Sequence, residues 1–261
     1  MAAAFTTVNS LCRLCVGSML EAGVVLVDKP AGITSFAVVS RLRRVLQMKK
    51  IGHAGTLDPF ATGLLVLCAG RPATKIISML MDGDKEYLAT LLLGVETETQ
   101  DTEGKIIRRT PLGCISSETI EECLQNFRGK QLQTPPAYSA LKHKGKPLYY
   151  YARKGIPIVK EAREVDIKIL ERQDGMAAVT GETAILKVRV VCSKGTYIRS
   201  LAADMGRYLG CGAHLIELRR IRSGCFSLDG SLTWHALEGE LAQERCLGAM
   251  ISVEEACKLL Q

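Results

Sequence analysis

Residues 52–70 read GHAGTLDPFATGLLVLCAG. Gly52, Gly55 and Gly63 stand among small neighbours, so the backbone can turn tightly and come close to a ligand. Asp58 directly precedes Pro59, and the proline ring narrows the backbone freedom of the residue before it. The segment presents a carboxylate on a stiff loop, suited to act as nucleophile or general base. Asp-Pro is also a common turn starter, so local chemistry leaves both readings open. No G-x-x-x-x-G-K-[ST] follows, and the signature of a phosphate-cradling loop is missing. Beyond the loop, Leu64 to Leu67 read as a short apolar strand.

Upstream, Val24 to Val27 read as a buried strand and Asp28 to Gly32 as a turn. Thr34 or Ser35 caps a helix whose apolar residues Phe36, Val39, Leu42 and Leu46 recur at helical spacing. Downstream, Gly70-Arg71-Pro72 turns into a helix from about Ala73 to Met81. Lys85 to Leu93 alternate like a strand, with Tyr87, Ala89, Leu91 and Leu93 on one face. Asp101 to Gly104 form a hairpin turn, and Glu118 to Phe127 a surface helix. Thr134-Pro135-Pro136 breaks the pattern, and Tyr138 to Arg172 are dense in Lys, Arg and Tyr. Thr183 to Cys192 give the clearest strand alternation, and a helix covers Ile198 to Leu209. Strands and helices mix without a regular βαβ rhythm, which indicates an α+β fold.

The 261 residues carry a formal net charge of +7, with 47% hydrophobic and 23% charged residues. A sizeable core can form, and the cationic surplus favours an acidic partner such as nucleic acid. No apolar run is long enough to span a membrane. Ten cysteines are scattered without a compact framework, the usage of reduced thiols in a cytosolic protein. Cys12 and Cys15 make a single C-x-x-C. A zinc site needs a second pair or nearby histidines, so it reads as a chance pair. Residues 1–22 are expected to be a disordered leader.

A second informative segment is Cys192 to Leu201, CSKGTYIRSL. If the chain stays extended here, Tyr197 and Arg199 point to one face. A tyrosine ring can stack on a base and an arginine can pair with a carboxylate or phosphate. The plain alternative is a polar strand end with one core tyrosine.

Three ordered blocks, GHAGTLDPFATGLLVLCAG, CSKGTYIRSLAADMG and LGCGAHLIELRRIRSG, resemble the TruB family of tRNA pseudouridine synthases. VLVDKPAGITS, DKEYLATLLLG, TPPAYSALKHKGKPLYYYARKG and QDTEGK support the resemblance, which runs from Gly23 to about Leu228. It implies a pseudouridine synthase catalytic domain over residues 23–230, with a mixed, largely antiparallel central sheet flanked by helices and loops. Residues 231–261 are then a helical tail, without the RNA-binding barrel called PUA that many members carry at the C-terminus.

The resemblance implies that Asp58 is the catalytic carboxylate and that Arg199 pairs with it, lowering its pKa and keeping it ionised. Tyr87 matches the tyrosine that stacks on the target base, Tyr197 a second pocket residue and Leu218 an apolar wall. His53 matches a histidine beside the extruded nucleotide. The implied reaction converts the T-loop uridine of tRNA, position 55, to pseudouridine. It involves no redox change, so no cofactor and no metal is expected. The expected partner is the tRNA T-stem-loop, with no membrane and no obligatory protein partner, for a cytoplasmic monomer. Lys142, Lys146, Arg153 and Lys154, and also Arg219, Arg220 and Arg222, are candidates to grip phosphates; a solvated basic face is the plain alternative. Opening the T-loop would also help tRNA refold, and an RNA-folding chaperone with a vestigial site is the competing class. A zinc deaminase lacks its H-x-E and P-C-x-x-C signature.

Overall fold

The unbroken apolar run after Gly23 becomes strand β1 (Gly23–Lys29), which is buried along almost its whole length. In a computed structural model, residues 22–156, 158–175 and 178–260 are described; the expected leader and the Cys12–Cys15 pair lie outside them. Helix α1 (Ser35–Val45) follows, capped by the Thr34 hydroxyl, which accepts the Ala37 N–H at 3.0 Å. Its buried stripe is Ser35, Val38, Val39 and Leu42. Phe36, expected on that stripe, is 63% exposed. The other three expected residues, Val39, Leu42 and Leu46, are buried, and the Ser35 hydroxyl is buried against Leu57, accepting its N–H and donating to its carbonyl, each at 2.9 Å.

Strand β2 (Ile51–His53) occupies the start of the glycine-rich segment, and β3 (Thr62–Ala69) its end. The loop proper is therefore only residues 54–61. Both β1 and β2 pair antiparallel with β3. Alternate β1 residues serve opposite faces: Val25 and Val27 join the main core with α1, whereas Val24 and Leu26 join a second cluster on the other side. A strand buried on both faces reads as continuous apolar sequence, which explains why no alternation is visible there.

The helix expected from Ala73 to Met81 is two short helices, α2 (Gly70–Lys75) and α3 (Ile77–Met81). Ile76 (φ −95°, ψ 5°) leaves helical geometry between them. Strand β4 (Lys85–Leu93) keeps the expected face, with Tyr87, Ala89, Leu91 and Leu93 in the main core. A hairpin of β5 (Val95–Thr97) and β6 (Ile106–Arg109) surrounds the Asp101 turn. Strand β7 (Leu112–Ser116), helix α4 (Ser117–Asn126) and strand β8 (Gly129–Gln133) lead to a small arm made of β9 (Lys142–His143), β10 (Lys146–Pro147) and α5 (Leu148–Ala152).

The chain re-enters the sheet as β11 (Arg163–Arg172), within the basic stretch where the sequence shows no strand period. Then come β12 (Ala178–Gly181), which pairs with β7, strand β13 (Ala184–Cys192), and helix α6 (Ile198–Tyr208). Strand β14 (Ala213–Ser223) is the longest, at 11 residues. Periodicity does not reveal it, because register shifts at Leu215/Glu217 and Arg220/Arg222 break the two-residue alternation. Residues beyond it give β15 (Phe226–Ser227), β16 (Leu232–Thr233), a 3-10 turn (Trp234–Leu237), α7 (Ala242–Gly248), β17 (Ile251–Ser252) and α8 (Val253–Lys258). The tail thus combines helices with two short strands that both pair with β1.

The large sheet runs β16-β1-β3-β14-β4-β13-β11-β8, with β2, β15 and β17 attached at the sides. Its pairs are antiparallel except β1/β16 and β3/β14. The expected α+β class and the mixed, largely antiparallel sheet are both present. No helix among the described residues is long and apolar enough to cross a membrane.

Candidate active site

The parallel junction of β3 with β14 sets the site. Gly63, at the start of β3, lies beside Arg220 of β14 and has φ +100°. A Cβ there would stand 2.2 Å from the Arg220 carbonyl oxygen, so glycine alone allows the approach that brings the 54–61 loop over β14. The loop is pinned from the other side by Lys29. Its ammonium donates to the carbonyls of Pro30 (2.9 Å), Ile33 (2.8 Å) and Pro59 (3.1 Å). The Gly32 N–H also reaches the Pro59 carbonyl, at 2.9 Å. Lys29 is fully buried, and burial pushes its pKa down to about 8.

Asp58 emerges from this brace opposite the first turn of α6. The Arg199 guanidinium meets it through Nε at 2.9 Å to Oδ2 and Nη2 at 3.4 Å to Oδ1. The same guanidinium contacts Asp101 Oδ2 at 3.2 Å, the Thr99 carbonyl at 2.9 Å and the Tyr138 carbonyl at 2.8 Å. All three nitrogens of the planar fork are directed at oxygen. Asp101 is 2% exposed and fixed by its own turn, where it accepts the Thr99 hydroxyl and the Glu103 N–H. Arg199 thus holds two carboxylates, one buried and structural, the other partly exposed.

Burial pushes the Asp58 carboxyl up, Arg199 pulls it down, and the Asp101 charge pushes it up again; the balance lies above the ordinary carboxylate value. The expectation that Arg199 sets a lowered pKa is corrected on this point: desolvation is the larger influence. Tyr197 and Arg199 do not share an extended segment either. Tyr197 is the residue before α6 and Arg199 lies in its first turn. The Gln133 side chain clamps Tyr197, accepting its N–H at 2.8 Å and donating to its carbonyl at 3.1 Å.

Tyr87 and Leu218 sit on neighbouring strands with their faces shared. Tyr87 pairs with Arg220 and Leu218 with Ala89 across β4 and β14, and both side chains are almost wholly buried. His53 ends β2 next to the loop. Burial, then the Arg220 charge, holds it below the ordinary imidazole pKa, and its Nδ1 is buried without a hydrogen-bond partner. The charge of Asp58 bears on the phenols of both Tyr87 and Tyr197. The fold therefore brings the candidates Asp58, Arg199, Tyr87 and Tyr197 into one neighbourhood, with Leu218 near Tyr87 on the adjacent strand and His53 at the start of the loop.

Two parts of the site escape a reading of the sequence alone. Lys29 looks like a strand end and Asp101 like an ordinary turn residue; the available signal is a lysine before Pro30 and an aspartate in a tight turn. Of the three arginines offered as phosphate grips, Arg220 is 1% exposed, Arg219 pairs with Asp28 at 2.7 Å and Arg222 with Glu86 at 3.0 Å. Arg220 is therefore withdrawn from phosphate binding, because it has no surface to offer. Lys142, Lys146, Arg153 and Lys154 are exposed on the arm. Among the described residues no three His, Cys, Asp or Glu side chains converge as a metal site.

Residues 43–198 match the model of the TruB family pseudouridylate synthase N-terminal domain, and 199–256 that of the tRNA pseudouridylate synthase B C-terminal domain. The tRNA pseudouridine synthase B of Desulfotalea psychrophila is 61% identical over 240 residues, 92% of this chain and 97% of that protein. That of Aromatoleum aromaticum is 51% identical over 223 residues, 85% of this chain and 70% of that protein. Among solved structures, a chain of a Cbf5-Nop10-Gar1 complex superposes with TM-score 0.65 at 29% identity. The match covers 92% of this chain and 63% of that one. With the two family models matched back to back, and relatives at this identity over most of its length, the chain belongs to the TruB family of pseudouridine synthases.

Proposed function

We propose that this chain isomerises the uridine at position 55 in the tRNA T-loop, with Asp58 as the catalytic carboxylate. Conversion of uridine to pseudouridine in tRNA is the reaction of the family, and the chain is an isomerase of that kind. The observation that carries the residue assignment is an asymmetry: the Arg199 side chain is 4% exposed, while Asp58, which it holds, is 34% exposed. A buried guanidinium leaves one carboxylate open to solvent and anchors the other, Asp101, in the protein.

The target uridine sits within a folded loop and has to leave its stack, at a cost of roughly a few kcal/mol. Stacking on Tyr87 and burial against Leu218 and Tyr197 offset that cost. Neutral His53 stands beside the vacated nucleotide. The glycosidic N1–C1′ bond breaks, the base turns, and C5 bonds to C1′. The hydrogen from C5 leaves as a proton and N1 takes one up, so atoms and charge balance without a redox partner. Attack of the carboxylate on C1′ and removal of the C2′ proton both require the same thing of Asp58, an ionised oxygen against the ribose. The exposed cations of the arm grip the backbone on either side of the loop. This chemistry calls for one protomer, no cofactor and no protein partner, and we place it in the cytoplasm.

Release of tritium from a T-stem-loop labelled at C5 of the target uridine tests the reading. The wild-type chain is expected to release one equivalent per site, and Asp58→Asn none, with RNA affinity within a few-fold of wild type. Full release by Asp58→Asn would remove it from the catalytic role.

A further inference from the structure

Nη2 of Arg199 serves two acceptors, Asp58 Oδ1 at 3.4 Å and the Tyr138 carbonyl at 2.8 Å. Tyr138 lies between β8 and β9, just before the arm begins at Lys142. Its phenol crosses to the β5–β6 hairpin and donates to Glu98 Oε1 at 2.7 Å. The same hairpin turn supplies Thr99 and Asp101, which take Nη1 of Arg199. Tyr138 thus touches the guanidinium with its main chain and the neighbouring hairpin with its side chain.

The placement of Tyr138 is set from both sides. Upstream, Gln133 is clamped to the main chain of Tyr197, and Pro135 and Pro136 then restrict the backbone. Downstream, the Ser139 and Leu141 carbonyls accept the N–H groups of Tyr149 and Leu148, at 3.1 and 2.8 Å. These bonds tie the segment to α5, so the site and the arm share one root. The chemistry of the contact is specific as well. A guanidinium only donates, so Nη2 needs an acceptor for each of its two hydrogens. A third carboxylate would compete with Asp58 for the fork. A neutral carbonyl satisfies one hydrogen without added charge and leaves the other for Asp58. The hydrogen bond to Glu98, with slight burial and the Glu98 charge, holds the Tyr138 phenol above its ordinary pKa, so it remains a donor at neutral pH.

We infer that Tyr138 is a positioning residue: tied by its phenol to Glu98, it holds its carbonyl on Nη2 of Arg199 and so keeps the fork turned toward Asp58. The inference rests on the role proposed above for Asp58. It links the arm to the chemistry, because the segment that anchors the arm is the segment that aligns the catalytic pair. Without the phenol bond the carbonyl drifts, Nη2 loses its nearer acceptor, and the guanidinium shifts relative to Asp58.

The test uses the full chain with Tyr138→Phe, Glu98→Ala, Glu98→Gln and the double variant of Tyr138→Phe with Glu98→Ala. In single-turnover isomerisation of a T-stem-loop, Tyr138→Phe and Glu98→Ala are each expected to lower the rate at saturating RNA by about 3- to 10-fold, the scale of one hydrogen bond. The Kd is expected to change little. The double variant should lose no more than the larger single effect, because both changes cut the same bond. Glu98→Gln keeps an acceptor oxygen and should retain more of the rate than Glu98→Ala. With Asp58→Asn inactive, a wild-type rate in Tyr138→Phe, or fully additive losses in the double variant, overturns the inference.

A second measurement needs no turnover. In NMR of the RNA-free chain labelled at the aspartate carboxyl carbons, the resonance absent from Asp58→Asn reports the titration of Asp58. The charges around it are Arg199 from α6, Asp101 and Glu103 from the hairpin turn and Lys29 from β1; Tyr138→Phe removes none of them. A displaced Arg199 pulls the carboxyl down less, so the midpoint is expected to move up in Tyr138→Phe. An unmoved midpoint overturns the inference whatever the rate. A raised midpoint together with an active Asp58→Asn upholds the link and removes Asp58 from the catalytic role, so the two failures are told apart.

Discussion

Arg199 and Asp58 meet at 2.9 Å, and the exposure of the pair is one-sided: 4% for the guanidinium, 34% for the carboxylate. Replacing Arg199 by Lys keeps a cation but surrenders the bonds to Thr99, Tyr138 and Asp101. The pull that lowers the Asp58 pKa weakens, while burial and Asp101 still raise it. The range of pH over which the carboxylate is protonated extends upward. A rate loss of about 100-fold at pH 7 is expected, in the range found when a positioned electrostatic group is removed. Part of it should be recovered as pH rises. A single-turnover pH profile checks this: the acid limb of Arg199→Lys must lie at higher pH than that of wild type.

Asp58→Asn should abolish turnover without weakening the fold. The folded pKa of Asp58 lies above its ordinary value, so between those two values the native state binds more protons than the unfolded chain. Stability from this group is greatest at low pH and is lost as pH rises through that window. Above that window the ionised carboxylate is a liability to folding, and an uncharged isostere removes it. Arg199 keeps Asp101 and two carbonyls. Thermal unfolding at pH 7 is expected to give Asp58→Asn a Tm equal to or above that of wild type. Asp101→Asn, which leaves the 4% exposed Arg199 short of its buried partner, should unfold earlier.

Lys29 gives the opposite pH signature. Burial holds it at about 8, against an ordinary lysine value of 10.5. Between these the unfolded chain keeps a proton that the folded chain has released, so stability rises with pH across that window. Lys29→Met loses this rise and three bonds to carbonyls, a net cost of about 1–3 kcal/mol. Urea unfolding at pH 7, 9 and 10 should show the gap between wild type and variant widening with pH. A constant gap would show that Lys29 does not titrate there.

Legibility in the sequence follows the regularity of the surroundings. Lys85 to Leu93 and Ala184 to Cys192 are readable because apolar residues recur at every second position, Tyr87, Ala89, Leu91 and Leu93 in the first and Leu186, Val188, Val190 and Cys192 in the second, all in the main core. β14 is not, since two register shifts interrupt its alternation and its arginines suggest a surface. β11 is hidden likewise: a bulge between Ile167 and Ile169 breaks its period, and charged residues dominate its open face. Asp58, Tyr87, Tyr197, Arg199, His53 and Leu218 come from the ordered resemblance. Periodicity alone leaves Asp58 as a turn residue and places Tyr197 and Arg199 on a strand they do not form. Lys29, Asp101 and Arg220 act through buried contacts between segments far apart in the chain, and no local pattern encodes such contacts.

Gly63 concentrates the fold and the site at one position. Its φ of +100° is costly for any side chain, and a Cβ would overlap the Arg220 backbone at 2.2 Å. The neighbour is a main-chain carbonyl of β14, so it cannot rotate away as a flexible side chain would. Gly63→Ala must separate β3 from β14 or distort the loop. A destabilisation of more than about 3 kcal/mol is expected, in the range of the largest single-site effects. Denaturant unfolding measures it, and a cost under about 1 kcal/mol would show the junction to be slack.

The arm offers a pH-dependent test of RNA binding. Lys146 and Lys154 approach the Tyr150 ring at 4.4 and 4.6 Å from its centroid. The Lys154 and Lys146 ammonium groups, the latter donating to the phenol at 3.1 Å, pull Tyr150 down to about 8. Above that pH a phenolate stands between the two lysines and offsets the charge they offer to phosphate. RNA and the proton on Tyr150 should therefore bind with mutual help, so affinity for a T-stem-loop falls as pH rises from 7 to 9. Tyr150→Phe removes the phenolate and should flatten this fall while leaving affinity at pH 7 nearly unchanged. Replacing Lys146, Arg153 and Lys154 with Ala should instead weaken binding at every pH. For each phosphate no longer neutralised, the slope of log K against log salt should shrink by about 0.7 to 0.9. Titrations of both variants at two pH values and several salt concentrations separate the effects. If the triple variant keeps the wild-type slope, the arm is a solvated face and does not hold the RNA backbone.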